Sequence, residues 1–498
     1  MIRYGPLFCV VLLLASAFYF QRTKRVHIIH QFSGAIFFMS SLFMVITFYD
    51  VNVNGSYENT FMLSQLFGFK TINSLSVLVV LVFYITITMI IWFSNYSLRK
   101  YIEPSQIPNY YSLMHLMNAA VTVIIFTAFF ITTYIAYVVL IISAYHMIQI
   151  KNQDALPYEK KKFLVLNFFG LFLLFIGLSM MMMKSHAFGF ESFNQYIATH
   201  IYQDRNYFTL SLTLCIIGLG VNGVLFPFYE WMPDLFATTP APLSAQLSAV
   251  TIKISPIVMM KLLLTGYGVE HYEMLHMSDV LIVLGIASMI SGSVFAMLQK
   301  DLKKLIAFST ISQLGYIYLA VGLSNIYGIR IALYQLLAHS VTKSAMYLSV
   351  GSIYEQLNTT KISAMKGIGK HLPITLGCFS LGALSMVGIP ILPGFITKWN
   401  LSLASLERGS IFPLVAILIS AILNAIYYLP VIINGFFGQS DIDYRHLTSK
   451  AKPLREVIPL MILVSIMVLM GFFANTLFQY INAQEMMANA FVGLGGMS

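Results

Sequence analysis

LLAHSVTKSAMYLSVGSI, residues 336–353, is an apolar run that holds one formal charge, Lys343, and one histidine, His339. Eighteen residues at a helical rise of 1.5 Å make about 27 Å, close to the roughly 30 Å hydrocarbon core of a bilayer. The run is therefore read as a membrane-spanning helix. A lysine at that depth costs a few kcal/mol and faces a water-filled cavity or the bundle interior. His339 and Lys343 are four residues apart, so they share one helix face. A neutral histidine one turn from a lysine can exchange a proton with it through a water.

The whole chain has the composition this run implies. Of 498 residues, 58% are hydrophobic and 10% charged, with a mean hydropathy of +0.79. Soluble domains carry about 25% charged residues. These values exclude a soluble globular protein, a disordered chain and a secreted disulfide scaffold, and point to an all-α integral membrane protein with no room for a soluble cofactor domain. Cys9, Cys215 and Cys378 sit singly in apolar runs, so neither a metal site nor a disulfide is expected. Residues 5–20 resemble a signal peptide, but Arg22, Lys24 and Arg25 follow at once, and the segment is read as a retained first span.

Apolar runs bounded by charges and by Pro, Gly or Asn predict about fourteen transmembrane helices, near 5–21, 27–49, 72–96, 108–126, 128–150, 163–183, 207–228, 241–268, 279–298, 304–323, 329–353, 372–402, 410–437 and 456–480. Pooling alternate loops puts nineteen basic residues on one side and six on the other. The richer side is assigned to the cytoplasm and both termini to the outside. The net charge of +10 thus reflects membrane topology, and no nucleic acid is expected as a partner. A cell (cytoplasmic) membrane is the expected location, with the mitochondrial inner membrane less favoured.

The remaining four basic residues, Lys253, Lys261, Lys343 and Lys398, fall inside predicted spans, whereas each of the 19 carboxylates sits at a segment end or in a loop. Burial lowers a lysine's pKa and lets it accept and release protons, so the four point to a proton or ion path. His115 and His146 lack a partner of the His339–Lys343 kind. The run Met180–Met183 reads as packing or lipid contact. Two segments are interrupted by Pro and Gly, one from Pro227 to Pro242 and one from Gly388 to Gly394, with Pro227 and Pro390 163 residues apart. Broken helices in matching halves mark an inverted-repeat transporter. The expected layout is an N-terminal three-helix segment (1–107), five-helix repeats at 108–270 (spans 4–8) and 271–440 (spans 9–13), and a C-terminal helix (441–498).

PFYEWMPDLFATTPAPLSAQLSAVTIK (227–253), QKDLKKLIAFSTISQLGYI (299–317), LLAHSVTKSAMYLSVGSI (336–353) and LSMVGIPILPGFITKW (384–399) resemble, in order and spacing, the proton-conducting antiporter-like family. It contains the large membrane subunits of Mrp-type cation/proton antiporters, of respiratory complex I and of membrane-bound hydrogenases. Asn424-Ala425-Ile426-Tyr427-Tyr428-Leu429-Pro430 leans toward the Mrp D and hydrogenase branch. The resemblance implies a proton path through Lys253, His339, Lys343 and Lys398; Lys261, as the fourth intramembrane lysine, and Asn222, Ser248 and Thr251, as uncharged groups able to hold a water chain, are read as further path or supporting residues. The chain departs from the family at the fifth-helix glutamate, which aligns with Val138, and at its lysine partner, which aligns with Asn222. No Asp or Glu lies between Glu103 and Asp154, so no shift of alignment restores the acid. Losing both partners leaves no unpaired charge but degrades the first half-channel.

The function so implied is that of a proton-translocating subunit of a multi-subunit Mrp-type complex, with sodium/proton exchange left open. The implied partners are other membrane subunits, the lipid bilayer and protons. No cofactor or metal is expected, since nothing in the chain reads as a flavin, iron–sulfur or nucleotide site, and it is no catalyst alone. Two alternatives stay open: a subunit of a redox complex such as complex I or a hydrogenase, and a membrane partner in a proton-driven inorganic-carbon uptake complex.

Overall fold

The computed structural model describes residues 4–23, 26–58, 65, 67–150, 157–439 and 454–481. Each of the fourteen expected segments holds a helix or a broken helix, in chain order. The first three are α1 (Gly5–Arg22), α2 (Val26–Asn54) and α3 (Ser74–Ser97). They are followed by α4 (Ile107–Phe126), α5 (Phe130–Gln149), α6 (Pro157–Ser185), α7 (Phe190–His200), α8 (Arg205–Asn222), α9 (Met232–Thr238), α10 (Ala241–Ala249), α11 (Ile254–Lys261) and α12 (Val269–Met274). Then come α13 (Met277–Met297), α14 (Leu302–Gly322), α15 (Ile326–Leu357), α16 (Pro373–Val387), α17 (Pro393–Glu407), α18 (Ile411–Phe437), α19 (Leu454–Phe472) and α20 (Ala474–Tyr480). Arg3, Lys24, Arg25, Lys151, Arg445, Lys450 and Lys452, all used in the charge comparison, lie outside the described residues.

Among the described residues, nine helical stretches are long and apolar enough to cross a membrane, and the pair α19 and α20, bent by 80°, is a tenth candidate. The expected spans outside that set are α4, α8, α15 and the broken pair α16 and α17. They are interrupted or rich in buried polar side chains: Ser112, His115, Asn118 and Thr122 on α4, and Gln335, His339, Ser340 and Lys343 on α15. Polarity inside a bundle lowers hydropathy without moving the helix out of the membrane.

Small residues set the helix spacing, as they do where helices cannot be driven together by water. A Cβ on Gly285 of α13 would lie 2.6 Å from the Leu319 amide nitrogen of α14, and one on Gly292 would lie 2.6 Å from that of Ser312. In the first half, a Cβ on Gly170 of α6 would stand 2.7 Å from the Gly218 carbonyl of α8. Each half thus contains such a helix pair in backbone contact. The N-terminal helices are fastened by buried hydrogen bonds: His115 on α4 bonds Ser16 on α1 (Nδ1, 2.6 Å) and Ser33 on α2 (Nε2, 2.7 Å). His115 is a satisfied packing residue, and His146 is exposed. The three cysteines are free and buried.

Both expected breaks are present. α8 stops at Asn222, and a turn through Phe228–Trp231 precedes α9. α16 ends at Gly388, whose φ of +98° suits glycine, and Pro393 opens α17. The expected continuous segment 241–268 contains a third break. Val250 leaves the helical region at φ −123°, ψ −58°, and Thr251–Lys253 form a tighter turn before α11. Pro256 has no N–H to offer the Ile252 carbonyl, which weakens the helix where it breaks. α7, short and amphipathic, is a further element beyond the expected set.

Candidate functional site

Lys253, Lys261, Lys343 and Lys398 are all buried, and so is His339. No aspartate or glutamate is buried among the described residues. The lysines must therefore find neutral partners, and most of them find backbone carbonyls near the C-terminal ends of helices. There the last carbonyls lack intrahelical donors and the helix dipole is negative.

Lys253 sits on the tight turn after the third break and donates to the Ser248 carbonyl of α10. Ser340 of α15 donates to the next carbonyl, Ala249 (2.7 Å), so the break is held from the helix that carries His339. Lys398 donates to the Met386 carbonyl at the end of α16 (2.6 Å). A side chain on Gly388 would meet the Lys398 chain at 3.1 Å, so the glycine also clears space for the lysine. Lys261 closes on the carbonyls of Ile124 (2.9 Å), Ile125 (3.2 Å) and Thr127, which end α4. Lys303, read from the sequence as a loop residue, is buried and donates to the Thr239 carbonyl after α9 (2.7 Å).

Lys343 differs: its ammonium reaches Ser309 Oγ (2.9 Å), the Ile306 carbonyl (3.2 Å) and the Tyr428 hydroxyl (3.3 Å). Tyr428 in turn donates to Ser309 (2.8 Å). The neighbouring Tyr427 ring, 4.6 Å away, donates through its hydroxyl to Asn424 Oδ1. Asn424 Nδ2 donates to the Met386 carbonyl (3.2 Å), the same oxygen that holds Lys398. Lys343 and Lys398 thus belong to two hydrogen-bonded groups, one through Tyr428 and the other through Asn424 and Tyr427 of α18, which meet at the Tyr427–Tyr428 ring contact.

The stretch around Lys253 and His339 is built differently. His339 lies within electrostatic range of both Lys253 and Lys343, and neither of its ring nitrogens has a hydrogen-bond partner among the described residues. The same holds for Ser248 Oγ, Thr251 Oγ1 and both amide atoms of Asn222. Buried polar atoms are satisfied by protein or by water, so this string of side chains suits a hydrated passage. Asn222 is buried against Gly170. The residue of α5 that reaches it is Tyr137, which also approaches Ser255. Val138, the position aligned with the family's acid, is half-exposed. The sequence reading quoted Asn424, Tyr427 and Tyr428 as a motif and Ser309 within another, but gave none of them, nor Tyr137, a place in the site, because uncharged groups leave no trace in a charge pattern.

The family described as NADH:quinone oxidoreductase/Mrp antiporter, TM, matches residues 129–424. The chain is 34% identical over 230 residues to NADH-quinone oxidoreductase subunit N of Desulforudis audaxviator, covering 46% of this chain and 45% of that one. It is 25% identical over 401 residues to subunit M of Rickettsia prowazekii, covering 80% and 78%. The chain therefore spans less than half of the first of these relatives and most of the second. Its fold is that of a chain in the archaeal membrane-bound sulfane sulfur reductase, with a TM-score of 0.86, 22% identity and 97% coverage of both chains. A chain of the Mrp complex from Dietzia sp. DQ12-45-1b superposes with a TM-score of 0.85 at 18% identity, covering 99% and 98%. The family match takes in more than half of the sequence and every lysine of the buried row, and the protein belongs to the NADH:quinone oxidoreductase/Mrp antiporter transmembrane family.

Proposed function

We propose that this antiporter-like membrane protein moves protons along Lys253, His339, Lys343 and Lys398 as one component of an Mrp-type multi-subunit complex. The observation that carries the reading is the placing of Lys343 and Lys398 in two hydrogen-bonded groups, Lys343 with Tyr428 and Lys398 with the Met386 carbonyl that Asn424, bonded to Tyr427, also reaches, which meet at the Tyr427–Tyr428 ring contact. Two titratable groups on different helices are thereby brought together with no buried carboxylate among the described residues. Ser248, Thr251 and Asn222 line the way to Lys253, and Lys261 supports α4. The degenerate positions Val138 and Asn222 leave the first half-channel without its switching ion pair. Residues 108–270 and 271–440 serve as two inverted repeats, a division supported by a helix break in each.

The cytoplasmic assignment of the basic loops, with both termini outside, is consistent with the surface ion pairs. Lys162–Glu230 (2.9 Å) and Lys304–Asp234 (2.5 Å) join residues assigned to one side, and Lys184–Asp204 (2.9 Å) and Arg408–Asp279 (3.0 Å) join residues assigned to the other. A second reading, a proton-moving component of a quinone-reducing complex, is favoured by the names of the relatives, NADH-quinone oxidoreductase subunits M and N. The test is proton flux into dye-loaded liposomes by the purified assembly, together with identification of its other subunits. Flux that depends on this chain is expected, and its absence overturns the proposal. Redox subunits in the assembly select the second reading.

A further inference from the structure

Arg330 lies one turn into α15, where the helix dipole is positive and a carboxylate would be the favoured charge. Among the described residues it makes no ion pair and no hydrogen bond, and its Nε is buried without a partner. Two other arginines at this end of the bundle are satisfied. Arg205 donates to the Met274 carbonyl (3.0 Å), and Arg408 binds the Gly322 carbonyl (2.6 Å) and Asp279 (3.0 Å). Arg330 instead lines a cavity of about 640 Å³ with Asn400 of α17 and Asn475, Phe478 and Gln479 of α20. Asn475 and Gln479 are four residues apart and share a face. Asn400 uses one amide hydrogen on the Ile396 carbonyl (2.8 Å) and keeps the other.

The cavity's place in the membrane narrows the ligand. α20 is bent 80° from α19, so if α19 crosses the bilayer, α20 runs along its surface. The cavity then lies at headgroup depth, with Tyr327 beside Arg330 (6.0 Å from ring centre to Cζ) and Phe478. Aromatic rings gather at that level. A guanidinium fork with several amide N–H donors is suited to a tetrahedral oxyanion.

We propose that this cavity binds the phosphate of an anionic phospholipid headgroup, with Arg330 as its main ligand and Asn400, Asn475 and Gln479 as further donors. The site is separate from the lysine row and does not depend on proton movement.

The test uses the full chain with its accompanying subunits, as wild type, Arg330→Gln and Arg330→Lys, moved into phosphatidylcholine nanodiscs. Phosphatidylglycerol is titrated in and bound lipid is counted by mass spectrometry of the intact particles. Arg330→Gln is expected to weaken phosphatidylglycerol retention by about tenfold, the value of one charge-assisted contact, and Arg330→Lys by less. Equal retention by wild type and Arg330→Gln overturns the proposal. If Arg330→Gln fails to assemble, the exposed pair Asn475→Ala with Gln479→Ala takes its place, and unchanged retention there overturns it equally. Inorganic phosphate supplies the second arm: if it raises the unfolding temperature as much as the lipid does at equal concentration, the lipid assignment falls.

Discussion

The two halves of the lysine row solve one problem by different means. Around Lys343 and Lys398 Ser309 is bonded to Tyr428, and Asn424 to Tyr427 and the Met386 carbonyl, with the Tyr316 hydroxyl left over. Around Lys253 and His339 the carbonyls of Ser248 and Ala249 are taken, but the side chains of His339, Ser248, Thr251 and Asn222 have no hydrogen-bond partner among the described residues. A row of bonded hydroxyls and amides fixes side-chain geometry, whereas an unbonded row leaves that task to water. Asn222, which the resemblance sets in place of a charged residue, is one of these unpartnered groups.

The comparison breaks most readily at the lysines. Lys343→Ala and Lys398→Ala should each lower proton flux by about 10²–10⁴-fold, the range for removing a positioned proton-transfer group, while assembly yield is kept. Normal flux from Lys398→Ala would show that the bonded half is not a conduit. Next comes the missing ion pair. Asn222→Lys alone should cost about 3–5 kcal/mol in stability, because it buries an uncompensated charge. A carboxylate placed by Tyr137→Glu should rescue it better than one placed by Val138→Glu, since Tyr137 is the residue that reaches Asn222. Additive effects in the double-mutant cycle would separate the two positions.

Two smaller effects sharpen the contrast. Lys261→Met should destabilise the protein by about 2 kcal/mol through the carbonyls it leaves without a donor, with flux per assembled particle unchanged. Flux that falls as far as in Lys398→Ala would put Lys261 on the path. Tyr428→Phe should reduce flux about tenfold, the equivalent of one hydrogen bond worth roughly 1.4 kcal/mol. The same exchange at Tyr110, a buried phenol outside the row, is the control and should leave flux as it was.

Much of this architecture is legible in the sequence because a bilayer admits few backbone solutions. Apolar runs bounded by charges and by Pro, Gly or Asn locate the long helices, and Pro227 and Pro390 mark two of the breaks. The break at Val250 escapes because valine, threonine and isoleucine are no more polar than the helix around them. Lys253 is legible as an intramembrane charge, but its carbonyl partner is not, since a backbone oxygen has no letter. Tyr428 and Asn424 stand in a legible motif, but their roles are hidden for a related reason. A neutral side chain in an apolar run reads as packing until its neighbours are known. Its charge inside a predicted span marks Lys261 as a path or supporting residue, and the structure seats it on three carbonyls that end α4.

The glycine seam between α13 and α14 bears on how quickly such a row can switch. With backbones in contact at Gly285 and Gly292, there is no room for either helix to press closer to the other. Rocking of bundles, the slow microsecond-to-millisecond device of alternating-access carriers, has no hinge at this seam. What can turn there are the tips of lysines, tyrosines and serines, and rotamer changes complete in picoseconds to nanoseconds when side chains are free. Turnover would then be paced by proton supply at the two mouths and by the neighbouring chains on either side.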